Sequence, residues 1–280
     1  MPGERISSRI SEPKGEIMSF IQTLLYYLST PALAILIIAI YVGFSIAGLC
    51  IVRSFFPFHK LKLHNDVAGF IFATLGVIYA VLLAFLVVVT WQGFDSASQN
   101  AAKEANYLAD LYRDSMPLSS DFHSRLKLEL KQYASDIVDH EWQIMPRGLR
   151  SEVVQQDQQR IWDLFSSYRP VNETQKVFFS ESVRKLNEAC EARRQRLLDA
   201  TSGLSPILYF ILILGGLITV GYTVMFGTEN FVPQIIMTSM LAVMIALTLF
   251  TIIALDYPFS GDISIKPTVF RMVLNTLLGS

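Results

Sequence analysis

VAGFIFATLGVIYAVLLAFLVVVTW, residues 67–91, runs for twenty-five residues without an Asp, Glu, Lys or Arg. A hydrocarbon layer about 30 Å thick takes roughly 20 apolar residues as helix, because no water is present there to satisfy an open backbone. The stretch therefore reads as a transmembrane helix. Three more uncharged apolar runs of similar length lie at 31–52, 204–227 and 231–255. Together they predict an all-α, polytopic membrane protein with four spans.

Charge is segregated around these runs. Of 23 Lys and Arg and 24 Asp and Glu, 15 and 17 fall between residues 92 and 203. That insert between the second and third spans is polar, and its length suffices for a core of its own. Its near-neutral balance excludes a nucleic-acid-binding face, which needs a basic excess. The chain thus divides into an N-terminal segment (1–29), spans one and two (30–91), the insert (92–203), spans three and four (204–256) and a C-terminal segment (257–280). Residues 17–28, apolar with two tyrosines, suit an interfacial position.

Within the insert the periodicity predicts four helices. Residues 96–115 continue the second span until Pro117 stops them. Residues 119–144 carry Leu126, Leu130, Tyr133 and Ile137 at helical spacing, with Ser119 and Ser120 placed to cap. Residues 151–168 end before Pro170, and 172–201 run almost into the third span. Gly93, Gly203 and Pro206 are the places where these extensions could bend. The insert is thus expected to be a helical bundle.

With an even number of spans, both termini and the insert share one side. That side carries most of the Lys and Arg near span ends, whereas the other has Arg53, Lys60 and Lys62. The positive-inside rule places the insert and both termini in the cytoplasm of an inner membrane.

No catalytic pattern stands out. His140-Glu141 lacks the second His of a zinc-protease helix, and no glycine-rich phosphate loop or nucleophile elbow occurs. Cys50 and Cys190 sit in a span and in the insert and are not expected to pair. An enzyme, a cofactor and a bound metal are all unexpected. Asp256 and Asp262, six residues apart, read as turn and capping residues before they read as cation ligands.

The second span is the most patterned. Gly69, Ala73, Gly76, Ala80 and Ala84 recur at spacings of four and three, a face that admits a close helix partner. A bulky stripe lies opposite, with Ile71, Leu75, Ile78, Leu82, Phe85 and Val89. In a monomer it faces lipid; in a ring of copies it can face the axis. Beyond the membrane, Asp95 and Glu104 follow the second span, while Arg193, Arg194 and Arg196 precede the third. If the two extensions pack, these charges meet near the inner surface. Otherwise the arginines reach lipid phosphates.

The ordered series GFIFATLGVIYAVLLAFLVVVTWQGFD, KEANYLADLY, HEWQIMPRG, EARRQRLLDATSGLSPILYF and LDYPFSGDISIKP resembles the bacterial bestrophin-like membrane proteins. The resemblance implies a homo-oligomer, pentameric by analogy, that passes small anions such as chloride. It implies a pore lined by the second span, with a neck at Ile78, Leu82 and Phe85, and a basic outer mouth at Arg53, Lys60 and Lys62. The dense acidic run that clasps calcium in true bestrophins is missing after the last span. The alternative is a non-conducting scaffold or sensor whose helical insert binds a partner.

Overall fold

Asn65–Asp114 forms one uninterrupted helix of 50 residues, α2 in the order used below. At 1.5 Å per residue it is about 75 Å long, more than twice the thickness of a hydrocarbon layer. It carries the chain from the second apolar run into the polar insert and stays helical through Gly93. The computed structural model describes residues 28–56 and 61–279. The expected interfacial stretch, apart from Leu28, and Lys60 lie outside the described residues.

α1 (Thr30–Phe55) precedes α2, with Pro31 in its first turn. After α2 come α3 (Ser120–Asp136), α4 (Glu152–Ser167) and α5 (Glu173–Asp199). Then follow α6 (Pro206–Thr223), α7 (Phe231–Asp256) and α8 (Thr268–Gly279). α1, α2, α6 and α7 are each long and apolar enough to cross a membrane. The described residues contain helix, turn and irregular backbone but no strand.

Local chemistry sets the helix ends. The side chains of Ser119, Ser151 and Asn172 each accept a backbone N–H from the first turn of α3, α4 and α5. A π-helical turn, Ile137–Glu141, prolongs α3. The segment then closes through Met145–Arg147 onto Gly148, whose φ of 73° is left-handed and suits a residue without Cβ. The extension leading to the third span breaks over 200–205, next to Gly203, whereas the one leaving the second span runs on through Gly93. There the Asp256 carboxylate accepts the Leu204 N–H at 2.8 Å and the Tyr209 hydroxyl at 2.5 Å.

Two cores result. One lies among the apolar helices and includes Tyr41, Tyr79, Leu86, Leu212, Ala246 and Ile252. The other fills the polar bundle with Leu108, Leu126, Leu130, Ile161 and Leu186. α8 joins this second core through Phe270, Val273 and Leu277. The sequence reading treated residues 257–280 only as a tail. The bundle is therefore built from the insert plus the C-terminal helix, laid along the distal half of α2.

Candidate functional site

The apolar half of α2 has one packed side and one bare side. Tyr79, Leu83, Leu86 and Thr90 are buried against its neighbours. Tyr79 donates to the Leu212 carbonyl at 2.8 Å, and Tyr41 of α1 donates to the Ile213 carbonyl at 3.1 Å. Both rings reach α6 because Gly215 and Gly216 have no side chain. A Cβ on Gly216 would stand 2.7 Å from the Tyr41 oxygen and 2.9 Å from that of Tyr79.

The two stripes singled out in the sequence border the bare side. Ile78 and Phe85 are 67% and 65% exposed, whereas Leu82 is half-buried and packs against the apolar core. Ala73, Ala80 and Ala84 are exposed, and Gly69 and Gly76 are intermediate. A Cβ on Gly76 would meet nothing within 4 Å, and one on Gly69 would just touch Phe226 at 4.0 Å. The small face is thus left almost unused by the chain's own helices. Along the bulky stripe, Ile71, Leu75, Ile78 and Leu82 form one wall of an open apolar groove of about 650 Å³. Ile211 and Ile218 of α6 form the other wall.

At the far end of the spans, the first and last connections converge. Lys62 pairs with Glu229 at 2.7 Å, and Arg53 donates to the Glu229 carbonyl at 3.1 Å while lying over the Phe231 ring. The two described residues of the expected basic mouth therefore meet at Glu229, Lys62 on its carboxylate and Arg53 on its main-chain carbonyl.

Glu104 lies thirteen residues past Trp91, about 20 Å along α2. The five charges expected to cluster beyond the membrane separate into two groups. Asp95 is exposed and bonded by Gln99, and Arg194 is exposed and paired with Glu191 on its own helix. Glu104, Arg193 and Arg196 are buried and share a network with Glu141. Arg196 donates to Glu104 at 2.7 Å and to Glu141 at 2.9 Å. Arg193 binds the same Glu141 at 2.5 and 3.1 Å, and the Tyr133 hydroxyl donates to Glu104 at 3.0 Å.

Two guanidinium groups and two carboxylates balance, so no net charge is left in the core. Burial acts to raise the Glu141 pKa, but hydrogen bonds and charge from Arg193 and Arg196 outweigh it and hold the carboxyl below its ordinary value. Burial and the neighbouring Glu104 push the Tyr133 phenol well up, so it stays a donor. Arg196 also lies over the rings of Trp142 and Phe270, 5.3 and 5.6 Å from their centroids.

Sequence reasoning placed Glu104 with the arginines but did not assign Glu141, which it met only as half of a failed zinc motif. It also passed over Asp157, a buried carboxylate facing Asp136. Burial, then the bond and charge of Asp136, raise Asp157 to about 6 against the opposing Arg160. The usable signal for both was an acid on the apolar stripe of an amphipathic helix. Among the described residues no group of His, Cys, Asp and Glu is arranged to hold a metal.

The comparisons fit this architecture. Two crystal structures of variants of a bacterial bestrophin homologue from Klebsiella pneumoniae superimpose with TM-scores of 0.64 and 0.66. Sequence identity is 14% and 16%, over 88% and 91% of this chain and 98% of each of theirs. A structure described as a membrane protein gives a TM-score of 0.66 at 13% identity, over 88% of this chain and 97% of that one. At such identities the likeness speaks for the fold alone. Among curated proteins no sequence matches this chain. The Bestrophin-like domain, however, matches residues 39–270, which takes in most of the spans, the bundle and the start of α8. The chain is a membrane protein of the bestrophin-like family.

Proposed function

We propose that this chain is one subunit of a homo-oligomeric anion channel, a pentamer by analogy with its family, whose pore is lined by the bare side of α2. The observation that carries the reading is the exposure of Ile78 and Phe85 on a span that packs on its own subunit through Tyr79, Leu83 and Leu86. A ring of copies gives that surface an axis to face. An apolar constriction without ionisable groups gates by losing and regaining water. Ile78, Leu82 and Phe85 form the neck in this reading, and the small face, Gly69 to Ala84, receives a helix of the adjacent copy.

The bundle and both chain ends lie in the cytoplasm, following the distribution of Lys and Arg. Arg53, Lys60 and Lys62 then sit at the outer mouth, where Glu229 offsets part of their charge. The sequence boundaries at 29, 91, 203 and 256 follow the same division, with α8 docked back on the bundle.

The test is chloride flux through purified protein in liposomes, comparing wild type with Leu82→Ala and Phe85→Ala. Flux above protein-free liposomes that changes with either substitution is expected. Absence of flux in all three, from protein shown to be folded and inserted, would overturn the channel reading in favour of a partner-binding scaffold.

A further inference from the structure

A second cavity, about 480 Å³, opens where the apolar helices end and the polar bundle begins. Its walls come from four places in the chain. Ser29 precedes α1, Trp142 and Gln143 follow the π-helical turn, 259–267 link α7 to α8, and Arg271 lies in the first turn of α8. Reciprocal bonds fasten this junction. Asp262 accepts the Thr30 N–H at 2.8 Å, and its own N–H donates to the Thr30 hydroxyl at 3.0 Å. Trp142 donates to the Ile265 carbonyl at 3.2 Å and closes the side toward the buried network.

The described lining carries more cationic than anionic side chains. Arg271 and Gln143 have no side-chain partner among the described residues, and Lys266 bonds only the Ser264 hydroxyl, at 2.9 Å. Ser260 is 3% exposed, and among the described residues its Oγ has no hydrogen-bond partner. A buried hydroxyl left so is unusual, since burying a polar group without a partner is costly. Against two cations there is one carboxylate, Asp262, already held by Thr30.

We infer that this cavity binds a tetrahedral oxyanion of the phosphate class. Lys266 and Arg271 supply the countercharge, and Ser260 and Gln143 supply neutral donors. The volume is far larger than a halide needs. Its depth, level with Ser29 at the start of the first span, lets the phosphate arrive free in solution or as the headgroup of an anionic phospholipid. The site is separate from the pore-lining surface and does not depend on the channel reading.

Full-length protein in a neutral detergent is titrated calorimetrically with inorganic phosphate. In parallel it is reconstituted in phosphatidylcholine discs with and without phosphatidylglycerol, and retained lipid is read by native mass spectrometry. Wild type is expected to bind at least one probe, and Lys266→Gln/Arg271→Gln to weaken it about tenfold or more. Ser260→Ala weakens it severalfold, and the exposed Arg194→Gln leaves it unchanged. Binding of phosphate itself identifies a soluble anion, and retention of phosphatidylglycerol alone identifies a headgroup. The inference fails if wild type binds neither probe, or if the double variant, with an unaltered melt, binds as wild type does. Should the double variant not fold, Ser260→Ala decides on the same terms.

Discussion

Arg196 and Glu104 stand 92 residues apart in the chain and 2.7 Å apart in space, and neither is exposed to solvent. Their contact ties the distal half of α2 to α5, the helix that leads back to the third span. Because Glu141 and Arg193 complete the group, charge is balanced only when all four are present.

Removing one member should therefore cost far more than removing a surface charge. Arg196→Met leaves Glu104 and Glu141 buried with Arg193 as their one cation, and a loss of about 3–5 kcal/mol is expected. Arg194→Gln, two residues away but exposed and paired only along its own helix, should stay within about 0.5 kcal/mol. Denaturant titration of both variants in detergent measures the difference. Equal, small effects would show that the network contributes nothing to holding the two helices together.

The glycines offer a second contrast. Gly216→Ala pushes a methyl into the space of two tyrosine hydroxyls and should lower the melting temperature of the subunit. At Gly76 an added Cβ meets nothing within 4 Å in its own subunit, so Gly76→Leu should leave the melt of the monomer close to that of wild type. Size-exclusion chromatography with light scattering should instead show fewer oligomers, because the small face is lost. An unchanged assembly would remove that face from the proposed interface.

On α2, Ile78 and Leu86 separate conduction from stability. Ile78→Ser adds a hydroxyl to an exposed position and should raise chloride flux with little change in the melt, as a wetter neck requires. Leu86 is 2% exposed, and Leu86→Ala should destabilise by about 2–5 kcal/mol. If Ile78 faces lipid instead, its serine variant will conduct no differently from wild type.

Asp157 predicts an inverted pH dependence for the bundle. Its folded pKa of about 6 lies above the ordinary 3.8, so the folded state holds its proton more tightly than the unfolded chain does. Stability should fall as pH rises from about 4 through 6 and level off above, the reverse of the usual carboxylate. Glu141, held below its ordinary value, stays ionised across that window. Thermal melts between pH 5 and pH 8 should show the fall in wild type and lose it in Asp157→Asn. A wild-type profile flat over this range would mean that burial beside Asp136 does not hold a proton on Asp157.

Much of the architecture was legible because it rests on local properties. The span lengths, the caps at Ser119, Ser151 and Asn172, and the stop before Pro170 depend on residues within a turn or two of one another. The α8 helix was legible in principle, since Phe270, Val273 and Leu277 repeat at three and four, but it was passed over as a tail. Gly93 misled in the other direction. A glycine permits a break without requiring one, and α2 stays helical through it.

The sequence by itself determined that four helices are long and apolar enough to cross a membrane and that a polar helical segment lies between the second and third. Absence of charge over some twenty residues suits a helix in lipid, where the backbone bonds only within itself. Only the tertiary structure decided which charges are buried together and which side of α2 stays bare. Those outcomes depend on residues dozens of positions apart. The π-helical turn after α3 brings Glu141 to Arg193 and Arg196, and the tyrosines of α1 and α2 lock onto the glycines of α6. No local pattern encodes such distances, because the cost of burying a charge is set by whatever the rest of the chain places beside it.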